Sequence, residues 1–211
     1  SLKAYPVDSL YRDSFRMIQS LRNDKGVYRD ARRFAGEDYH PASTAAIGVG
    51  LVALCIGDRM QWIDDGRDQV IQTLEAMTGG DPSFQPDRNA GGVFRHWINM
   101  ETGAREWNSE YSTIDCAILV SGTLFASRYF KDPAIDSLAE NLFSTVDWSK
   151  MIADPISGGI YREMGEDGNG VPGAITTPYS EYIIVAWLCK NAEGEAGGPA
   201  TELWNSHYTD P

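Results

Sequence analysis

Apolar positions recur along this chain at two contrasting kinds of helical spacing. Over 6–22, Tyr11, Phe15 and Ile18 fall at i, i+4 and i+7 between Arg12, Asp13 and Arg16, which predicts a helix from Pro6 with one dry and one wet face. The segment 43–55 differs: TAAIGVGLVALC is apolar on every side, with Gly48 and Gly50 permitting close backbone approach, and such a helix must be buried all round. A single stripe returns over 64–77 with Val70, Leu74 and Met77, and gives way over 113–130 to a helix apolar on most faces. Asp132 as cap and Pro133 in the first turn open a fifth helix carrying Ile135, Leu138, Leu142 and Val146. The sixth, over 178–189, is the run YIIVAWLC, with Thr177 as its predicted cap and Pro178 as its first residue. Strand patterning is nearly absent.

The order is therefore outer, inner, outer, inner, outer, inner. A plain four-helix bundle gives every helix one dry stripe; alternation of wet and dry helices instead predicts helical hairpins arranged around a centre, an all-α fold of the α/α-toroid kind. Three hairpins make half of a closed (α/α)6 ring. The expectation is one domain over 1–211 that forms the N-terminal portion of a larger toroid. Its first and sixth helices would carry apolar flanks needing cover, from a C-terminal half or from a homo-oligomer. The tail GEAGGPATELWNSHYTDP leads toward a further helix.

The bulk numbers narrow the function. The 211 residues, 42% hydrophobic, suffice for a core. A formal charge of −12 argues against nucleic acid, which requires a basic footprint, and against an anionic membrane surface. No apolar run approaches the roughly 18 residues of a membrane span. Cys55, Cys116 and Cys189 each sit in an apolar helical run, as buried thiols do; their number and spacing give neither a disulfide framework nor a zinc site.

Three connections are long for a compact helical domain: 23–42, 79–111 and 154–176. Each leads into an inner helix, so all should emerge at one end, while the short turns at 61–65 and 131–132 lie at the other. The stretch 91–126 is the richest: Glu110 and Asp115 stand beside His96, Trp97, Arg105, Trp107 and Tyr111 at the junction of loop and helix. Flat rings stacking on C–H faces, with carboxylates and arginine for hydroxyls, suit a sugar, and paired carboxylates are what glycoside hydrolysis needs. Tyr161 and Tyr179 are further candidate platforms. Alternatives stay open. Asp115 could close an S-x-x-D capping box with Ser112, Glu110 could answer a helix dipole, and His96 could be a satisfied core histidine. Glu181 leads an otherwise buried helix, where a carboxylate is costly unless it faces a cavity. Glu163, Glu166 and Asp167 read as solvated loop charges. The glycine-rich pieces GGDPS, GGV and GEDGNG lack phosphate-loop spacing and read as turns, and nothing points to a metal.

Four blocks, in order and within 25–205, resemble the glucoamylase-like (α/α)6-toroid glycoside hydrolases that include bacterial endo-β-1,2-glucanases and a domain of cyclic β-1,2-glucan synthases. They are ASTAAIGVGLVALCIGDRMQWI, the whole of 91–126, VDWSKM at 146–151, and TTPYSEYIIVAWLC. The resemblance implies an inverting hydrolase of β-linked glucan, β-1,2-glucan favoured, with no cofactor, an oligo- or polysaccharide as partner, and a periplasmic or secreted setting. It implies Glu181, in a Tyr-x-Glu motif, as general acid, with Glu110 and Asp115 lining the cleft. A non-catalytic glucan-binding half-ring and a glucan transferase are the competing expectations.

Overall fold

The computed structural model describes residues 7–209 apart from 34, 37 and 38; Pro6 lies outside them. Seven helices are described: α1 (Val7–Gln19), α2 (Thr44–Arg59), α3 (Gly66–Met77), α4 (Thr113–Phe130), α5 (Pro133–Ser144), α6 (Ile183–Glu193) and α7 (Pro199–His207). The alternation predicted from sequence holds. α4 packs between α2 and α6 as the middle inner helix, α3 and α5 lie side by side behind, α1 backs α2, and α7 backs α6. These are three hairpins of an α/α toroid, with α7 the further helix that the tail announced.

Two glycines set the central contact. A Cβ on Gly122 of α4 would lie 2.2 Å from the Gly48 carbonyl oxygen, and one on Gly48 would lie 2.3 Å from that of Ile118. The two inner helices thus meet backbone to backbone, and the core spreads from there through Ile47, Leu51 and Leu54 on α2 and Leu119 and Val120 on α4, all fully buried. All three cysteines are free and buried.

Two expectations are corrected. The sixth helix starts at Ile183 rather than at 178, because Tyr179 has φ +67°, a left-handed conformation that no right-handed helix can contain. Residues 178–182 are bends and a turn, so Glu181 precedes the helix. The inner helices are also not wrapped on every side: Val49, Ile56 and Phe125 are about half exposed, on faces that no described residue covers. No described helix is long and apolar enough to cross a membrane.

The sequence signals few strands, yet the long loops are fastened by short antiparallel ones. β1 (Ala42–Ser43) pairs with β2 (Trp97–Ile98), and β3 (Tyr111–Ser112) with β6 (Glu163–Met164). β4 (Ile152–Asp154), β5 (Gly159–Tyr161) and β7 (Ile175–Thr176) form a third small sheet. The first two pairs are one device used twice. A serine caps each inner helix: Ser43 Oγ accepts from the amide of Ala46, and Ser112 Oγ from that of Asp115. The next residue grips the following loop. Thr44 donates from Oγ1 to the Arg95 carbonyl at 2.6 Å and from its amide to that of His96 at 3.0 Å. Thr113 does the same to Tyr161 and Arg162, at 2.6 and 3.2 Å. The elaborated loops are thereby gathered at the N-terminal ends of α2 and α4.

If the glycine contact sets the spacing of α2 and α4, Gly122→Ala should destabilise the fold by about 1–3 kcal/mol through overpacking against backbone. Urea unfolding followed by circular dichroism reads this directly; an unchanged midpoint would remove the contact's special role.

Candidate functional site

The mouth between α2 and α4 is built from two strands of loop. His96 is pinned to the start of α2, and its amide donates to the Glu110 carbonyl at 3.0 Å, so the two side chains leave neighbouring backbone in register. Glu110 immediately precedes β3, and Asp115 lies in the first turn of α4. The result is a histidine between two acids. His96 Nδ1 donates to Glu110 Oε1 at 3.0 Å, while Nε2 lies 3.7 Å from Asp115 Oδ1. The Ser112 hydroxyl donates to the other Asp115 oxygen.

The two carboxylates are pushed in opposite directions. Burial raises Asp115 above the ordinary aspartate range, aided by the negative charges of Glu110 and Asp30 and opposed by Ser112 and His96. The bond from His96 lowers Glu110, outweighing its partial burial. Burial disfavours a charge on His96, but the bond to Glu110 and the fields of Asp115, Glu110 and Asp30 outweigh it and raise its pKa. Divergent ionisation within one contact group is how environments separate an acid from a base. Only half of the capping box that could have explained Asp115 forms: Ser112 caps the Asp115 amide, but the Ser112 amide donates to the Phe94 carbonyl, so the Asp115 carboxylate faces the Ser112 hydroxyl and His96 instead.

His96, Glu110 and Asp115 can each present a ligand atom within 4.8 Å of the others, the spacing of a metal site, which the sequence did not suggest. His96 Nδ1 is taken by Glu110, and Nε2 faces Asp115 at 3.7 Å.

Aromatic rings continue from the histidine. Trp97 stacks on His96 with centroids 3.8 Å apart, Trp107 meets Trp97 edge-on at 5.2 Å, and His40 meets Trp107 at 6.1 Å. Trp107 is half exposed and holds φ +51°, a left-handed conformation uncommon outside glycine and characteristic of functional loops. The Trp97 indole N–H is buried with no hydrogen-bond partner among the described residues.

Other candidates separate. Tyr111 is buried and serves as a brace: the Arg95 guanidinium lies 3.5 Å over its ring, and its hydroxyl donates to Glu166 at 2.7 Å and Asp87 at 3.2 Å. Arg95 in turn donates to Asp87, the Ser109 carbonyl and Glu166 at 3.0, 2.9 and 2.7 Å. Glu166 is exposed, as its reading from sequence as a solvated charge expects, and it also ties two loops together. Its pKa is lowered, first by the Tyr111 bond. Only an arginine inside the apolar stretch VFRHW hinted at this network. Tyr161 has the Gly170 backbone against its ring, where an added Cβ would lie 2.2 Å from a ring carbon, so that ring is part of the scaffold. Tyr179 is 80% exposed and meets Tyr208 rather than the tryptophans. Arg105 is exposed and donates to Asn108 at 3.0 Å.

Glu181 is exposed in the turn before α6, not enclosed by a helix as the sequence suggested. Its neighbour Tyr182, missed in the sequence, is buried. Burial pushes the Tyr182 hydroxyl up to about 12, and that hydroxyl also feels Glu181, Asp115 and Glu110, with Arg162 opposing.

Solved structures of similar fold include an endo-β-1,2-glucanase from Chitinophaga pinensis in complex with sophorotriose and glucose, 19% identical, with TM-score 0.73 over 97% of this chain and 51% of that one. A candidate glucoamylase from Bacteroides fragilis, 19% identical, aligns with TM-score 0.70 over 98% and 52%. The endo-β-1,2-glucanase of Talaromyces funiculosus in complex with sophorose, 12% identical, aligns with TM-score 0.58 over 96% and 52%. At these identities the likeness establishes the fold, and the chain spans about half the length of the structures that it matches. No protein-family model matches the chain, and no protein of curated function matches it in sequence.

The histidine's place between two acids gives a pH test. His96, with a raised pKa, contributes stability fully below its unfolded value of about 6.5 and loses it as pH rises through the folded value. Glu110, with a lowered pKa, contributes above its unfolded value of about 4.3 and loses it as pH falls. Glu110→Gln should therefore cost most between those two values and progressively less above them. NMR titration should find His96 above its ordinary pKa in the wild type and lower in the variant; identical His96 titrations would show that the contact does not form.

Proposed function

We propose that this chain supplies a carboxylate-dependent glycoside hydrolase site for β-glucan, with β-1,2-glucan the favoured substrate. The observation that carries the reading is the placement of one histidine between Asp115 and Glu110, whose pKa values are pushed in opposite directions, with Trp97 stacked directly upon it. The linkage preference rests on the fold likeness to endo-β-1,2-glucanases together with the resemblance in sequence.

Asp115, whose pKa burial raises, is the group better suited to donate a proton to the departing glycosidic oxygen. Glu110, with its lowered pKa, favours the charged form of His96, whose Nε2 proton faces Asp115 and can return to it once Asp115 has given up its own. We read the two as acting together rather than as the opposed pair of an inverting reaction. Their nearest oxygens lie within 4.8 Å, whereas inversion needs carboxyl groups about 6.5–9.5 Å apart with water between. They form one acidic pole. Glu181, which the family resemblance implies as the acid, lacks the buried helical setting expected to raise its pKa. Exposed in the turn beside Tyr182, it is instead the carboxylate with room for a water to activate. Trp97 and Trp107 offer ring faces to the sugar.

With linear β-1,2-glucan as substrate, Asp115→Asn and Glu181→Gln should each lower the rate of reducing-end release by about 10²–10⁴-fold while glucan binding persists. Full activity in either variant would remove that residue from the chemistry. Wild-type binding with no reducing ends would leave a carbohydrate-binding module, and cyclic products would mark a transferase.

A further inference from the structure

Glu110 has a second flank. It also borders an open cavity of about 400 Å³ that His96 does not line, walled as well by Arg95, Arg105, Asn108, Glu163 and Glu166, within the roughly 300–1,000 Å³ range of small-molecule sites. Most of this wall is already committed: Arg95 and Glu166 to each other and to Tyr111, and Glu110 to His96. Two groups are less so. The Glu163 carboxylate takes no hydrogen bond or ion pair from any described residue, and Arg105 gives one hydrogen bond, to the neutral Asn108, and lies in the field of Glu166 without a hydrogen bond to it. An open acceptor and a guanidinium with donors to spare thus share one cavity, the arrangement that binds neighbouring hydroxyls of a sugar ring.

The charge of the wall selects among sugars. Three carboxylates, from Glu110, Glu163 and Glu166, oppose two guanidinium groups, and Arg95 is nearly buried beneath its own partners. A uronate carboxylate would enter beside like charges with Arg105 as its main counterion. A neutral hexose meets no such penalty.

Resting on the glucan reading of the neighbouring site, we infer that this cavity is a binding subsite for a neutral glycosyl unit, with Glu163 and Arg105 as its specificity-determining residues. The contacts run in the order Trp107, Trp97, His96, Glu110, cavity. A glucan can therefore lay one unit on the tryptophan wall and the next against Glu163 and Arg105, with the bond between them at the acidic pole.

The test is calorimetric titration with sophorotriose and, separately, with a β-linked glucuronyl-glucose disaccharide, in an Asp115→Asn background that holds turnover down. Glu163→Gln and Arg105→Ala should each weaken sophorotriose binding about tenfold, the loss of one hydrogen bond to a charged group. Both should keep the circular dichroism spectrum and the His96 titration of their background. The uronyl disaccharide should bind about tenfold more weakly than sophorotriose, and Glu163→Gln should narrow that gap. Sophorotriose binding unaffected by both variants, or uronyl binding equal to it, overturns the subsite. Separately, wild-type reducing-end release from β-1,2-glucan reports on the hydrolase reading. Turnover with insensitive variants sinks the cavity alone; sensitive binding without turnover sinks the hydrolase and leaves the subsite standing.

Discussion

The contact of α2 with α4 at Gly48 and Gly122 is the constraint from which the rest follows. Carbonyl oxygens lie where any side chain would have to go, so these two helices sit closer than larger residues allow. Their N-termini are brought together with them. Each begins with a serine cap and a threonine that grips the next loop, which means that the spacing of the helices sets the spacing of the loops. His96 is held at the start of α2, while Glu110 and Asp115 stand at the start of α4. A change in the helix crossing would part them.

What the crossing assembles is an electrostatic imbalance. Burial works against charge on Asp115, ion pairing works for it on Glu110, and His96 lies between the two effects. The Arg95, Tyr111, Asp87 and Glu166 network stiffens this arrangement from behind by tying the loop of Glu110 to the loop of Glu163. In the proposed reaction the pole supplies and recovers a proton. The tryptophan wall and the Glu163 cavity hold sugar on its two flanks.

Much of this was legible in the chain. All-round apolar helices alternating with striped ones revealed the hairpins, because burial requirements are written into every turn of a helix. Long connections leading into inner helices foretold one elaborated end, and the gathering of His96, Trp97, Trp107, Glu110 and Asp115 was visible as one stretch of sequence. The misses were of two physical kinds. Local backbone chemistry overrode periodicity at Tyr179, whose left-handed conformation delays α6 and leaves Glu181 in a turn. Partnerships across loops could not be read either: Glu166 is solvated as expected, but its bonds to Arg95 and Tyr111, 71 and 55 residues away, left no local signal. Tyr111 looked like a platform for the same reason.

The most direct measurement is a crystal structure of the Glu110→Gln variant grown with sophorotriose. The account requires glucosyl density at the α2–α4 mouth, with one ring on the Trp97 and Trp107 wall, another beside Glu163, and the linking oxygen within hydrogen-bond reach of Asp115. Density for the sugar at any other surface, with this mouth left to solvent, would contradict it.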